Sequence, residues 1–299
     1  MPFILKKYDA VSGKKIQLFL LQDLALSPKL SQKYLSKNRI FDENQVPYNH
    51  SDLIRGNCIY IAQFEGHTRG LKPLVEFKDF ALFDKPSNLM VHPISKNTKY
   101  SLLDEIRYHF GEDANLAHRI DAETSGLIIV GKNKKSEIEL KNMFLEKKYK
   151  KSYLAIVEGK ITEEIKIDKK ITKEGKNIGV RMKTSKDEGK ESLTIVKPIS
   201  YNEKKNLTLI EAIPHTGRQH QIRVHLYSIG HRILGDPIYG VDDESAENYL
   251  NKTLEDKKRE EVTGSYRLWL HANYLEFCFK NIIFKLYSKN NSLKNHFFM

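Results

Sequence analysis

The stretch Leu116-Ala117-His118-Arg119-Ile120-Asp121-Ala122-Glu123-Thr124-Ser125-Gly126 runs directly into Leu127-Ile128-Ile129-Val130-Gly131. Four apolar residues between two glycines are too few for a helix and fit a strand buried on both faces. The residues ahead of them are small or polar and end at Gly126, where a loop can turn sharply. Asp121 therefore stands in a loop held against the hydrophobic interior, beside Arg119 and close to His118. Such a position suits a carboxylate with a chemical task, because loops on a rigid frame carry function. An ordinary ion-paired turn made by Asp121 and Arg119 is the alternative.

The chain has 299 residues, 40% of them hydrophobic, which is enough for one large domain or one medium and one small. No apolar run approaches the ~20 residues that span a bilayer. The start, Met1-Pro2-Phe3-Ile4-Leu5-Lys6-Lys7, has no signal-peptide core, so a cytoplasmic protein is expected, without membrane attachment. Cys58 and Cys278 lie far apart and outside any CxxC pair, which excludes a zinc knuckle and leaves two buried free thiols as the expectation. The net charge of +12 favours a polyanionic partner, although solvated lysines alone would give the same balance.

Ahead of Asp121, Ile16, Leu20 and Leu24 recur at helical spacing. Ser27 caps a second helix with Pro28 in its first turn. Leu30, Tyr34 and Leu35 share one face of it, Lys29, Lys33 and Lys37 another, and Arg39 follows. Gly56-Asn57 leads into a strand at Cys58 to Ala62, and Gly66 to Gly70 read as a linker. Leu74–Phe77 and Phe80–Phe83 open a larger unit. Ser101 caps a helix with Leu103, Ile106 and Phe110 on its core face and Gly111 at its end. Ser136-Glu137-Ile138-Glu139 has capping-box form and opens a helix to about Lys147. Residues 160–192 read as exposed hairpins, 241–262 as a variable exposed insertion, and Asn290 to Met299 as a tail without functional signal. Leu207–Ala212 alternates as a strand. Thr216 to Gln219 then has capping-box spacing ahead of a helix with Ile222, Leu226 and Ile229 buried, ending at Gly230.

Several of these segments resemble motifs of the RluA-type pseudouridine synthases, which isomerise uridine in RNA. His118 to Gly126 is similar to HR(L/I)D-x-x-(T/S)SG. Asp84-Lys85-Pro86-Ser87-Asn88-Leu89-Met90-Val91-His92-Pro93 is similar to NKPxGLxVHP, with Ser87-Asn88 where Ala-Gly is common; Asn tolerates the left-handed backbone of that turn. Lys151 to Gly159 resembles K-x-Y-x-A-x-V-x-G, and Thr216 to Leu226 resembles TGRxHQ(I/L)RVHL. Leu234 to Gly240 and Arg267 to Phe277 continue the pattern, so the resemblance covers roughly residues 74–280.

The resemblance implies that Asp121 is the catalytic residue, that Arg223 is its ion-pair partner, and that Tyr153 stacks on the target base. Arg119 would hold the nucleotide out of the RNA stack. His118, Thr124, Arg218, His220 and Gln221 lie in the same motifs and are expected to meet RNA. Lys85 reads as a phosphate contact or a surface lysine. Residues 1–66 resemble, in degraded form, the small RNA-binding domain of ribosomal protein S-four, with Lys33, Lys37 and Arg39 facing RNA. Asp42-Glu43-Asn44-Gln45-Val46-Pro47 replaces its glycine-rich turn, and an amphipathic cap with solvated lysines is the alternative. The implied fold is α+β: a small α/β domain over 1–66, a linker over 67–73, a mixed, mainly antiparallel sheet domain over 74–290, and a tail over 291–299.

Pseudouridine formation breaks the bond from ribose to the uracil nitrogen, turns the base and rejoins it through carbon. That chemistry needs no cofactor, and the chain carries no P-loop and no GxGxxG. His215, His220 and His225 are five apart, about 140° from one to the next on a helix, and cannot converge on one metal. An ionised Asp121 could attack the sugar or remove a ribose proton; sequence leaves both open. A monomer acting on large-subunit ribosomal RNA is expected, with transfer RNA as the other substrate class. A non-catalytic ribosome-assembly factor is the alternative from a different class. It gives no reason for a carboxylate beside RNA phosphates.

Overall fold

The computed structural model describes residues 3–93, 98–175 and 178–299. Strands β1 (Phe3–Asp9), β2 (Ile40–Phe41) and β3 (Cys58–Phe64) make a three-stranded sheet of order β1-β3-β2, backed by helices α1 (Ile16–Gln22) and α2 (Pro28–Ser36). Ile16, Phe19 and Leu20 meet Tyr34, Leu35, Ile40, Ile59 and Ile61 in one core. The expected cap is present, since Ser27 Oγ accepts the amide of Leu30 at 3.3 Å. β1 was not foreseen: most of its side chains face solvent, so no buried alternation marks it. Where a glycine-rich turn was missing, the Asp42 carboxylate accepts the amides of Asn44 and Val46, both at 2.9 Å.

The basic face of α2 is not wholly free. Lys33 pairs with Glu112 and lies 2.9 Å from Asp113, and Arg39 lies 2.5 Å from Glu112. These two cations hold the small unit to the large one, and only Lys37 of the expected set stays fully exposed. The segment 67–73 is likewise pinned. The buried Glu105 carboxylate accepts the Thr68 hydroxyl at 2.7 Å and the Arg69 amide at 2.6 Å.

The large unit continues with β4 (Val75–Glu76), β5 (Phe80–Lys85), α3 (Leu102–Phe110), β6 (Asn115–Leu116), β7 (Ser125–Gly131) and α4 (Lys134–Leu145). Next come β8 (Tyr149–Glu158), β9 (Ile165–Asp168), β10 (Lys170–Lys173), β11 (Met182–Ser185), β12 (Leu193–Asn202), β13 (Leu207–Pro214) and α5 (Gln221–Tyr227). The chain ends with α6 (Asp243–Leu250), α7 (Asp256–Thr263), β14 (Leu270–Phe279), β15 (Ile282–Tyr287) and α8 (Ser292–Phe298). Among the described residues a ten-stranded sheet runs β4-β5-β7-β14-β8-β13-β12-β9, with β15 added to β14 and β6 to β7. Its pairings are antiparallel except β7 with β14. The fold is thus α+β with a mixed, mainly antiparallel sheet, as expected. The β7 run from Leu127 to Val130 is buried on both faces.

Gly126 has φ 108°, and a β-carbon there would stand 2.3 Å from the Ala272 carbonyl oxygen. Only glycine lets β14 lie this close at the parallel junction.

Other expectations shift. α4 begins earlier than Ser136: Asn133 caps it, accepting the Ser136 amide at 3.0 Å. α5 is opened by Gln221, whose side-chain oxygen accepts the Thr216 hydroxyl at 2.5 Å and the Arg218 amide at 3.1 Å, rather than by a Thr216–Gln219 box. It ends at Tyr227, short of Gly230. Within 160–192, Ile161, Ile167 and Ile171 are buried and β9 joins the main sheet, so this is more than exposed hairpin. Residues 241–262 are not an exposed insertion but hold α6 and most of α7, with Ala246 and Arg259 buried. The tail forms α8, burying Leu293 and Phe297 and stacking His296 on Trp269 at 4.0 Å. Both cysteines are free, but Cys278 is exposed rather than buried. Among the described residues no helix is long and apolar enough to cross a membrane.

Candidate active site

Sheet order brings the candidate residues together. Ala272 on β14 pairs with Gly126 of β7 on one side and with Tyr153 of β8 on the other. The loop before β7 carries Asp121, and β13, which pairs Ala212 with Tyr153, leads into the turn that delivers α5 and Arg223. Arg119, Asp121, Thr124, Tyr153, Arg218, His220, Gln221 and Arg223, from distant parts of the chain, line a single cleft.

Within it, Arg223 Nη1 lies 3.4 Å from Asp121 Oδ2, so the expected pair is present. The stronger partner of Arg223 is Asp236, held through Nε–Oδ2 and Nη2–Oδ1 contacts of 2.7 Å each. Both side chains are almost fully buried. Burial opposes the charge on Arg223, but the Asp236 carboxylate, its hydrogen bonds and Asp121 outweigh that and raise the guanidinium above its ordinary value. Burial likewise opposes the charge on Asp236, but Arg223 and the amides of Ile238 and Tyr239 hold it below the usual carboxylate range. Asp236 Oδ1 accepts those amides at 2.9 and 3.1 Å.

His220 precedes α5 with φ 54°, a left-handed backbone that a non-glycine residue adopts at some cost. Its Nε2 lies 3.9 Å from Asp121 Oδ2 and its Nδ1 3.1 Å from the Tyr239 hydroxyl. That hydroxyl also accepts the Met182 amide at 3.0 Å. Burial, then the charge of Arg223, lower His220 to about 4, so the ring is neutral at pH 7. Tyr153 is buried, and burial followed by the charge of Asp121 raises its phenol. Among the described residues its hydroxyl forms no hydrogen bond within the chain. Arg119 is exposed at the rim, and Arg218 Nε donates to the Glu191 carbonyl at 3.1 Å.

The loop carrying Asp121 is held from three sides. Beneath it, Lys85 is fully buried and donates to the carbonyls of Pro86, Leu89 and Ala122 at 2.9, 2.9 and 2.8 Å. Lys85 is therefore neither a phosphate contact nor a surface lysine. Burial lowers its ammonium to about 7, with Glu123 and Asp121 opposing. Ser87 donates to the Glu123 carbonyl at 2.6 Å, in a turn where Asn88 takes the expected left-handed backbone at φ 61°. The buried Glu123 side chain accepts the Tyr249 hydroxyl and Arg259 Nη2, each at 2.6 Å.

Some expected RNA contacts lie elsewhere. His118 stands outside the cleft, where its Nε2 accepts the Ile129 amide at 3.2 Å and its ring lies 4.4 Å from that of Phe144. Burial, then Lys151, lowers it to about 3. Gln221 and Thr124 do line the cleft but are buried: the Gln221 side chain braces the turn ahead of α5, and the Thr124 amide closes the loop onto the Asp121 carbonyl at 3.2 Å. Lys33, Lys37 and Arg39 belong to the small unit and do not line this cleft. Asp236, Glu123, Tyr249, Arg259 and Lys151 were missed. Asp236 lay inside a quoted motif, but α6 and α7 carried no hydrophobic periodicity that would have flagged Tyr249 or Arg259.

Known proteins resemble this chain in sequence and fold. A family model described as RNA pseudouridylate synthase matches residues 79–228. An uncharacterized RNA pseudouridine synthase of Helicobacter pylori is 40% identical over 291 residues, covering 96% of this chain and 94% of the relative. Ribosomal large subunit pseudouridine synthase D of Buchnera aphidicola is 31% identical over 283 residues, covering 89% and 87%. The solved structure of human RNA pseudouridylate synthase domain containing 1 matches with TM-score 0.61 at 24% identity, over 77% of this chain and 87% of that one, a likeness of fold. With one relative matched almost end to end at 40% identity, the chain belongs to the RluA-type RNA pseudouridine synthases, isomerases that act on RNA.

Proposed function

We propose that this enzyme converts uridine to pseudouridine in large-subunit ribosomal RNA, with Asp121 as its catalytic residue and the target uridine flipped out of the RNA. The observation that carries this is one carboxylate, Asp121, at 30% side-chain exposure, in a cleft otherwise rimmed by Arg119, Lys151 and Arg218. A polyanion is attracted by that rim and repelled by Asp121, so the carboxylate costs affinity unless it has chemistry to perform. Ribosomal RNA as substrate is supported by relatives named as large-subunit ribosomal enzymes.

In this account Asp121 acts at the ribose while the bond to uracil nitrogen breaks. Arg223, fixed by Asp236, orients the carboxylate without moving itself, because its other two nitrogens are already engaged. Tyr153 supplies a flat face for the free base as it turns. It is not a base itself, since its raised phenol keeps its proton at pH 7. Arg119, exposed at the rim, fills the space the uridine leaves. Residues 1–66 dock the RNA through the exposed Lys37 and its neighbours, with Lys33 and Arg39 fixing that unit to the catalytic one. Mapping pseudouridines in ribosomal and transfer RNA from cells with and without this gene tests the substrate class. A ribosomal position lost with the gene and restored by the purified enzyme supports it; loss confined to transfer RNA contradicts it.

A further inference from the structure

One cation of the cleft has no part in the roles above. Lys151 stands on β8 two residues before Tyr153, so both side chains emerge on the same face and both line the cleft. Its Nζ lies 5.2 Å from the ring centre of Tyr149 and 6.0 Å from that of Tyr153. Gly217 faces it from the other wall: a β-carbon there would stand 3.8 Å from Nζ. The ammonium therefore sits between the tyrosine wall and the turn that carries Arg218.

Among the described residues no carboxylate pairs with Lys151, whereas Lys33 holds two and Lys132 and Lys150 one each. Burial alone lowers it to about 8, with no anion opposing. A half-buried cation without a counter-ion costs stability, and a cleft that takes RNA receives the missing anion with its substrate. Uracil offers only neutral carbonyls to such a group. The phosphodiester offers a full negative charge, which a cation beside Tyr153 can take while the base meets the ring.

We propose that Lys151 is a further RNA-binding residue, taking a non-bridging oxygen of the phosphodiester next to the flipped uridine and so seating the nucleotide between Asp121 and Tyr153. This rests on the flipped-uridine reading given above. The test uses the full chain and an unmodified transcript of large-subunit ribosomal RNA. Binding is measured across a salt series, with turnover at limiting and saturating RNA. Lys151→Met keeps the stem against the tyrosines and removes the charge; Lys151→Arg keeps the charge.

Loss of one charged contact should weaken binding by Lys151→Met about tenfold or more. The slope of log affinity against log salt should become shallower by roughly 0.7–0.9, the share of a single phosphate contact. KM should rise more than kcat falls, and Lys151→Arg should recover most of both. Wild-type affinity and salt slope in Lys151→Met overturn the proposal, even if turnover is lost. Should Lys151→Met fail to fold, Lys151→Gln is judged by the same slope. A wild-type chain that binds the transcript but forms no pseudouridine defeats the catalytic reading, and the salt slopes still decide the role of Lys151.

Discussion

Arg223 grips Asp236 with two 2.7 Å contacts and meets Asp121 with its remaining nitrogen at 3.4 Å, so a buried ion pair carries the half-buried Asp121 as the third member of a triad. The deeper carboxylate sets where the guanidinium sits, and the guanidinium sets where Asp121 points. Asp236→Asn keeps shape but turns one acceptor into a donor facing Arg223. Removing one partner of a buried pair costs about 3–5 kcal/mol, so the urea midpoint should fall clearly and turnover should drop with it. Wild-type stability and turnover in this variant would show that Arg223 is held in place by something else.

Glu123 links the loop of Asp121 to α6 and α7 through Tyr249 and Arg259. Arg259→Ala leaves a buried carboxylate with only the tyrosine hydroxyl, and should lower stability by about 3 kcal/mol or more. Amide exchange at residues 119–124 should rise before exchange in β8 does, because the loop loses a brace while the sheet keeps its ladder. Equal acceleration in loop and sheet would assign Arg259 to general stability alone.

Tyr153 tests the stacking role without touching the carboxylate. Its hydroxyl is unbonded among the described residues and its raised phenol stays protonated, so Tyr153→Phe should bind and turn over RNA nearly as wild type does. Tyr153→Ala should lose about 1–3 kcal/mol of binding to RNA, the range for a ring under a base. Alike binding by the two variants would make Tyr153 a packing residue only.

Much of this site could be read before the fold was known, and the limits have physical causes. Asp121, Arg223 and Tyr153 sit in short motifs whose residue types survive as text, and the buried strand after Asp121 has an unmistakable apolar run. Asp236 could not be paired with Arg223 from sequence, because their contact depends on the turn after α5. Lys85 was misplaced because a lysine reads as exposed, whereas three backbone carbonyls replace its water. Helices α6 and α7 escaped notice since what they bury is mostly polar: Arg259, Thr263 and Ser245. The lysine face of α2 showed its charge but not its acidic partners on the residues after α3.

Buried histidines make the fold acid-sensitive. Burial, then Arg267, lowers His271 to about 4, and burial with Arg223 lowers His220 to about 4, against about 6.5 in an unfolded chain. Between these values the unfolded chain binds more protons than the folded one. The stability these rings contribute is fully present above pH ~6.5 and is lost as pH falls toward 4, by up to about 1.4 kcal/mol per pH unit for each. Urea midpoints should therefore drop from pH 7.5 to 5.5, and His271→Gln should flatten that drop. A midpoint unchanged across this range would contradict the neutral state assigned to both rings.

The catalytic assignment itself is decided by Asp121→Asn, which keeps size and shape and removes the charge. Purified variant and wild type are incubated with unmodified ribosomal RNA, and pseudouridine is counted by mass spectrometry after nuclease digestion. Folding and RNA affinity should survive, with affinity rising slightly as a negative charge leaves a cleft that takes phosphates. Pseudouridine formation should stop in the variant while wild type converts its uridine; wild-type turnover by a correctly folded Asp121→Asn chain would contradict the account.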